Sequence, residues 1–249
     1  MEPAEAHELA AAVRRDAAVL AEVARRAPGA DVPACPGWDM TQLLNHLGRV
    51  HRWAAAAVES QAAEPLPFPP RPDEVTVEWF AEGADHLADV LERAADDPTA
   101  PAWNFLGVVP PDASFWIRRQ AIETAIHRWD AEGATGTPAP IDVAVALAGI
   151  EEALTLHAPR AAAAGLDAAT GLGGSLHFHT TDSDRGEWIV RFDGGRLSVE
   201  RGHAKGDAAA RGTASDLLLF LWGRADTAAL EVFGDAAVLD RWRQGVTLG

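Results

Sequence analysis

A glutamate and a histidine stand four residues apart in the stretch FWIRRQAIETAIHRWDAEGA, as Glu123 and His127. A spacing of four places two side chains one above the other on one helix face, which is how a helix presents two ligands to one metal ion. The neighbouring Ile122, Ile126 and Trp129 form an apolar stripe, so the pair is expected near the boundary of a core. A carboxylate and an imidazole buried there need partners. A metal ion would satisfy both, and an ordinary exposed Glu and His pair is the alternative.

A third possible ligand, His46, lies in the stretch LLNHLGRVHRW. It shares one side of a predicted helix with apolar residues such as Leu43 and is expected to point into a helical bundle. His51 lies about 140° further round that helix and cannot easily bind the same ion. Taken alone, an inward histidine is more often a hydrogen-bonded core residue. Together with a Glu-x-x-x-His pair on another helix it predicts a bundle metal centre, and two nitrogens with one carboxylate suit zinc with an open position.

Other residues that could do chemistry have simpler interpretations. Cys35 lies in the turn PACPGW and is expected to be a small buried thiol rather than a nucleophile or ligand. His177 and His179 alternate along one strand in HFH, and because no third ligand is evident they are expected to form a solvated strand face. The sequence contains no Gly-x-Ser-x-Gly motif of a serine hydrolase.

Four predicted helices must position these ligands. Apolar residues at helical spacing, with Pro and Gly at the ends, predict helices over residues 5–27, 39–60, 75–95 and 113–132. Asp39 and Gln42 have the spacing of a capping box at the start of the second helix. An alanine-rich helix is expected over residues 142–164.

The pattern changes after Gly165. The runs SLHFHTT, EWIVRF and RLSVER alternate in polarity and predict strands, and DGG between the last two predicts a hairpin turn. The stretches TASDLLLFLWGR and DAAVLDRWRQG predict two further helices. The fold class is therefore predicted to be mixed, α + α/β, with an N-terminal four-helix bundle followed by a small α+β domain.

Composition narrows the class of protein. The 249 residues are 48% hydrophobic and 23% charged, as in a soluble globular protein. A formal net charge of −16 argues against nucleic acid or an anionic membrane as a partner. The single cysteine excludes an intramolecular disulfide, and the N-terminus is not of the signal-peptide type, so a cytoplasmic location is expected.

Three segments resemble the mycothiol-dependent maleylpyruvate isomerase family: VPACPGWDMTQLLNHLGRVHRW, WIRRQAIETAIHRWDAE and GTASDLLLFLWGR. The resemblance covers nearly the whole chain. It is most specific in the Pro-Gly-Trp entry to the second helix, in the inward histidine and in the run from two arginines to Glu-x-x-x-His-x-x-Asp. It implies a DinB-like metal-binding helical bundle over residues 1–140. A linking helix and a small sterol-carrier-like α+β domain would then occupy residues 141–249.

The resemblance also implies a site and a reaction. The family's metal ligands correspond to His46, Glu123 and His127, with Zn²⁺ or another divalent metal and mycothiol as cofactors. A metal-activated thiolate would add to an activated double bond. Rotation about the resulting single bond and expulsion of the thiolate would then turn maleylpyruvate into fumarylpyruvate. If the adduct were kept, the enzyme would be a mycothiol S-transferase, and a non-catalytic metal- or small-molecule-binding protein is a third alternative. Family members often have a histidine where this chain has Ile122, which bears on the substrate.

The implied substrate is a small, anionic electrophile, and an acidic chain must supply positive groups to it locally. Arg119 and Arg224 are expected to contact its carboxylates, since a guanidinium can bind a carboxylate through two N–H groups. For each, an intramolecular pair with Asp130 or another acid is the alternative. Asp130 is itself expected to orient a ligand imidazole.

Overall fold

The structure, a computed structural model, describes residues 1–163, 173–193 and 196–245. The chain forms two compact units, Met1–Pro140 and Ile141–Gly249. The first unit is helical, and in the second the described residues combine helices with a sheet of five strands, which confirms the predicted fold class. No helix among the described residues has the length and apolar character that a bilayer crossing requires.

The four predicted helices of the first unit are confirmed to within two residues at each end. They are α1 (Pro3–Arg26), α2 (Met40–Ser60), α3 (Val77–Ala94) and α4 (Ala113–Gly133). Side chains before three of them accept hydrogen bonds from amides of the first turn, as expected for helix caps. At α2 this cap is the predicted capping box, in which Asp39 accepts from the Gln42 amide and Gln42 accepts from the Asp39 amide.

The order of the helices in the bundle differs from a simple up-and-down arrangement. α1 packs against α3 and α4, and α2 packs against the same two helices, so α1 and α2 occupy opposite corners. The segment between them must therefore cross the end of the bundle. Its course is fixed by hydrogen bonds from the Val32 amide to the Trp38 carbonyl and from the Met40 amide to the Ala30 carbonyl, each 2.9 Å long. Gly37 adopts a left-handed φ of 81° in this turn.

α4 is buried on nearly every side, whereas the other three helices each bury one apolar stripe. The buried side chains of α4 include six that are polar or charged: Gln120, Glu123, Thr124, His127, Arg128 and Asp130. Buried polar groups must find partners inside the protein. Their partners lie partly on α4 itself, as for His127 and Asp130, and partly on the helices that pack around it.

The second unit begins with α5 (Val143–Glu152) and α6 (Ala158–Ala163), which are joined by a π-helical turn over Ala153–His157. The helix expected over 142–164 is thus interrupted, and residue 164 lies outside the described residues. Two later helices, α7 (Ala214–Leu221) and α8 (Ala236–Gly245), confirm the predicted helical segments.

The sheet of the second unit has the strand order β3-β2-β1-β4-β5. Its strands are β1 (Gly174–Thr180), β2 (Glu187–Asp193), β3 (Arg196–Arg201), β4 (Ala208–Gly212) and β5 (Glu231–Gly234). β1 pairs with β4 in parallel, and the other pairs are antiparallel. The predicted strands β1 to β3 are confirmed, whereas β4 and β5 were not predicted. The glycines of the predicted DGG turn lie outside the described residues, although Asp193 and Arg196 on either side of them are paired.

Candidate metal centre

One side chain from α2 and two from α4 meet between these helices. His46 Nε2 lies 3.1 Å from Glu123 Oε1, and His127 Nε2 lies 3.4 Å from the same oxygen. One donor atom of each residue lies within 4.8 Å of the other two. The two imidazole rings meet edge to face, with centroids 5.2 Å apart. The structure therefore brings together the three residues that the sequence selects as metal ligands.

Glu123 is held ionised by its neighbours. Arg119 Nη2, one helical turn earlier, donates to Glu123 Oε2 at 2.5 Å, which leaves Oε1 facing the two histidines. Burial by itself would raise the pKa of the Glu123 carboxyl. The Arg119 guanidinium and the hydrogen bonds with His127 and His46 outweigh burial and hold that pKa well below its ordinary value. The carboxylate is thus present as an anion that can bind a cation.

His127 is fixed by a second carboxylate. Its Nδ1 lies 2.9 Å from Oδ2 of Asp130, which is completely buried, and Cys35 Sγ donates to the same oxygen at 3.4 Å. Burial would lower the pKa of His127, but the hydrogen bonds with Asp130, Cys35 and Glu123 raise it well above its ordinary value. With its Nδ1–H directed at Asp130, the imidazole turns Nε2 toward Glu123 and His46.

The site is open on one side. The His46 side chain is 34% exposed, whereas those of Glu123 and His127 are 10% and 8% exposed. Trp38, from the segment between α1 and α2, lies beside both histidines: its ring is tilted to that of His46, with centroids 5.1 Å apart, and stacked with that of His127, with centroids 6.2 Å apart. A small molecule can therefore approach along the His46 side, next to an aromatic wall.

A second set of donors, Cys35, His127 and Asp130, also lies within 4.8 Å of one another. It shares His127 with the first set but uses the other side of the imidazole. Because Asp130 and Cys35 are buried, this set offers little access to solvent. We therefore interpret Asp130 and Cys35 as supports of His127 rather than as ligands.

The remaining predicted residues have definite positions. His51 is completely buried and bonds Thr124 Oγ1 at 3.0 Å, so it lies apart from the three ligands, as its angular position predicts. Arg224 lies in the C-terminal unit, where its Nη1 donates to the Trp222 carbonyl at 3.1 Å. The contact between Cys35 and Asp130 was not predicted. The turn PACPGW, directly before the Asp39 cap, was the only sequence signal that could have indicated it.

One expectation about the second unit is wrong. His177 and His179 do not form a simple solvated strand face, because His177 is buried and Glu187 and His203 lie beside the two histidines. Neither Glu187 nor His203 is close to HFH in sequence. The strand pairing that brings them together is not visible as a local motif.

Comparisons with known proteins identify the family of the chain. The family model of the mycothiol maleylpyruvate isomerase N-terminal domain matches residues 9–132, and that of the MDMPI C-terminal domain matches residues 144–241. No curated protein matches the chain.

Two solved structures share the fold. One is a histidine-to-alanine mutant of mycothiol-dependent maleylpyruvate isomerase, with a TM-score of 0.60, 13% identity and 93% of each chain covered. The other is mycothiol-dependent maleylpyruvate isomerase without that substitution, with a TM-score of 0.56, 15% identity and the same coverage. Because both family models match, one in each unit, the chain belongs to the mycothiol maleylpyruvate isomerase family, and it is an enzyme of that family.

Proposed function

We propose that the N-terminal unit binds Zn²⁺, or another divalent cation, through His46, Glu123 and His127. We propose further that the protein catalyses a mycothiol-dependent cis to trans isomerisation of an unsaturated acid of the maleylpyruvate type. The observation that carries the proposal is the meeting of three ligand side chains from two helices around one carboxylate oxygen. Membership of the family supports the reaction class.

The donor set fits zinc. Two imidazole nitrogens and one carboxylate oxygen are a ligand set of catalytic zinc sites, in which a fourth position stays open for water or substrate. Asp130 supplies the second carboxylate that commonly accepts the remaining N–H of a ligand histidine. Because Asp130 is completely buried, it holds the orientation and tautomer of His127 without competition from solvent.

Arg119 has a role in this site that its position on α4 defines. By binding Oε2 of Glu123, it selects Oε1 as the oxygen that faces the two histidines. A guanidinium carries five N–H donors, so the same side chain can also contact a substrate carboxylate, as expected from the sequence. We propose both roles for Arg119. A substrate contact by Arg224 rests only on the anionic substrate that the resemblance implies and on the ability of a guanidinium to bind a carboxylate.

A cation bound here would stabilise the thiolate of mycothiol near neutral pH. The chain's own residues supply orientation and access. Glu123 and Asp130 fix the two imidazoles, and Trp38 forms one wall beside them. We propose that thiol and substrate enter on the side of His46, since it is the most exposed of the three ligands.

The alternatives raised by the sequence receive less support. None of the comparisons points to an S-transferase. A non-catalytic binding protein would be favoured by a closed site with four protein ligands. The cluster found here instead has three ligands and an open side.

His127→Ala tests the proposed site. Zinc per chain, measured by mass spectrometry of the metal after equilibrium dialysis, should fall by about one equivalent. Mycothiol-dependent turnover of maleylpyruvate should be lost as well. Cys35→Ser is the matched control, because it changes a neighbour of Asp130 and leaves the three ligands in place; it should retain zinc and activity. A His127→Ala protein that binds as much zinc as the unchanged protein would show that the proposed site is wrong.

A further inference from the structure

Four potential ligands gather on one face of the C-terminal sheet. His177 and His179 are two residues apart on β1 and so point to the same face, and His179 pairs directly with Glu187 at the start of β2. The Gly202 amide, directly after β3, donates to the Glu187 carbonyl at 3.1 Å. This contact brings the next residue, His203, to the same place. The cluster is thus assembled by sheet register from three separate segments.

The four side chains converge on the Glu187 carboxylate. Oε1 lies 3.0 Å from His179 Nδ1, while Oε2 lies 3.1 Å from His203 Nδ1 and 3.6 Å from His177 Nε2. One donor atom of each residue lies within 4.8 Å of the others. The rings of His177 and His203 meet edge to face, with centroids 5.1 Å apart. Three imidazoles and a carboxylate are therefore packed around a common point.

One ring nitrogen of His177 has no hydrogen-bond partner, and an ion at this common point would supply one. Its side chain is buried, and its Nε2 makes no hydrogen bond although it faces the cluster. A buried polar atom without a partner costs free energy. A cation in the cluster would give this nitrogen its missing partner.

We propose that His177, His179, Glu187 and His203 form a second divalent-cation site of the zinc type, separate in sequence and in ligand set from the site in the N-terminal unit. Three nitrogens and one oxygen suit Zn²⁺, and four protein ligands give a closed, structural site. Neighbouring ligand atoms of a tetrahedral zinc are about 3.3 Å apart. Small side-chain movements would therefore bring the four ligand atoms to the distances that a zinc ion requires. His203 is exposed and so is free to make such a movement. Such an ion would tie β1, β2 and the segment after β3 together.

Zinc counting on the full-length, tag-free protein tests this proposal. The protein is stripped with a chelator, dialysed against ZnCl₂ and analysed for metal by mass spectrometry. We expect about two zinc ions per chain, falling to about one in Glu187→Gln and in His203→Asn. Loss of a residue that hydrogen-bonds a metal ligand weakens metal binding by roughly 10–100-fold. His203 is proposed as a ligand itself, so His203→Asn should lower the zinc affinity of the second site by at least that much. His86→Asn is the matched control, because it alters an exposed histidine that bonds a glutamate, Glu59, outside both clusters.

The outcomes separate the two sites. His46→Ala should lose one zinc and retain the other, and addition of His203→Asn should remove both. Mycothiol should leave the absorption of Co²⁺ in the His46→Ala protein unchanged, because the second site is closed by four protein ligands. If Glu187→Gln and His203→Asn, shown by circular dichroism to be folded, bind as much zinc as the unchanged protein, the cluster is a hydrogen-bonded group without an ion and the proposal is overturned. If instead only the N-terminal site is wrong, the unchanged protein will bind one zinc ion, and Glu187→Gln or His203→Asn will remove it.

Discussion

At the scale of single residues, the proposed N-terminal site depends on two buried carboxylates with different duties. Glu123 faces both imidazoles through one oxygen and Arg119 through the other. Asp130 instead holds His127 through Nδ1, on the side of the imidazole away from Nε2. Substitution of Glu123 should therefore remove a metal ligand, whereas substitution of Asp130 should only weaken the binding of the metal.

Asp130→Asn should weaken zinc binding by about 10–100-fold, because a neutral amide holds the His127 Nδ1–H less strongly than a carboxylate and can also present its NH₂ group to that nitrogen. Competition with a chelator of known affinity measures this change, and Glu187→Gln in the background confines the measurement to the N-terminal site. Cys35→Ser keeps a donor to Asp130 and should change the affinity little. Equal affinities of Asp130→Asn and the unchanged protein would rule out the supporting role of Asp130.

His51 should make folding stability depend on pH. Burial lowers its pKa to about 3, although the charge of Glu123 acts in the opposite direction. Between that value and about 6.5 the unfolded chain binds one more proton at this residue than the folded chain, so His51 lowers stability as the pH falls, by about 1.4 kcal/mol per pH unit. Denaturant unfolding of zinc-loaded protein and of His51→Gln, which retains a donor for Thr124, should show a difference that changes with this sign below pH 6.5. A pH-independent difference would contradict the prediction.

The sequence predicts these residues unequally. Glu123 and His127 follow from the helical repeat, which is a local property. His46 lies 77 residues from Glu123, and its selection came from an expected inward position on another helix, to which the family resemblance added support. Glu187 and His203 were missed, because they reach the two strand histidines only through sheet register. Long-range register depends on tertiary packing that no local pattern specifies.

At the scale of elements, α4 carries buried polar side chains that connect it to other parts of the first unit. Besides the ligands it carries Arg128, a buried guanidinium that binds Asp16 of α1 at 3.1 Å and Glu132 of α4 at 2.6 Å. The same guanidinium donates to the carbonyls of Ala139 and Pro140. One side chain thus joins α4, α1 and the end of the first unit.

Arg128→Met should destabilise the protein by about 3–5 kcal/mol, because it removes a buried cation that binds two largely buried carboxylates, those of Asp16 and Glu132. Thermal or urea unfolding followed by circular dichroism measures this loss. Arg26→Met is the matched control: Arg26 pairs with Glu22 at the same spacing of four, but on the surface, where such pairs contribute roughly 0–1 kcal/mol. Similar losses of stability in Arg128→Met and Arg26→Met would show that burial of Arg128 and its two carboxylate partners does not add to their contribution to stability.

Elements were predicted well where the pattern was long and poorly where it was short. The first four helices have about five turns or more of apolar spacing, and their ends follow from caps and from Pro and Gly. β4 has the sequence AAARG, which has neither alternating polarity nor β-branched residues, and β5 has only four residues. Both are strands because pairing to β1 and to each other satisfies their backbone groups. The π-helical turn after α5 likewise has no signal in an alanine-rich run.

At the scale of the whole molecule, the chain divides at Pro140 into a helical unit and a unit with a sheet. We propose that the first unit is an independent folding domain, since it contains its own apolar core, which includes Leu20, Leu43, Leu47 and Phe80. The hydrogen bonds of Arg128 to residues 139 and 140 are part of that domain. The role of the second unit as a sterol-carrier-like domain remains a prediction from the resemblance.

A fragment of residues 1–140 should fold cooperatively and bind about one zinc ion. A shorter fragment that ends at residue 134 retains all of α4 but loses the two carbonyls that accept from Arg128. It should therefore be less stable by about 1.5–3 kcal/mol, as expected for hydrogen bonds to a charged group. Urea unfolding of both fragments and metal analysis of the longer one test this. An unfolded 1–140 fragment would contradict the division into domains.

The central claim is that a thiol meets a metal held by His46, Glu123 and His127, and cobalt spectroscopy tests it most directly. Full-length protein with Glu187→Gln is loaded with Co²⁺, so that only the N-terminal site is occupied, and is then titrated with mycothiol. We expect a sulfur-to-cobalt charge-transfer band that saturates at about one thiol per metal and is absent from the same protein with His46→Ala. A cobalt spectrum that mycothiol leaves unchanged would contradict the claim.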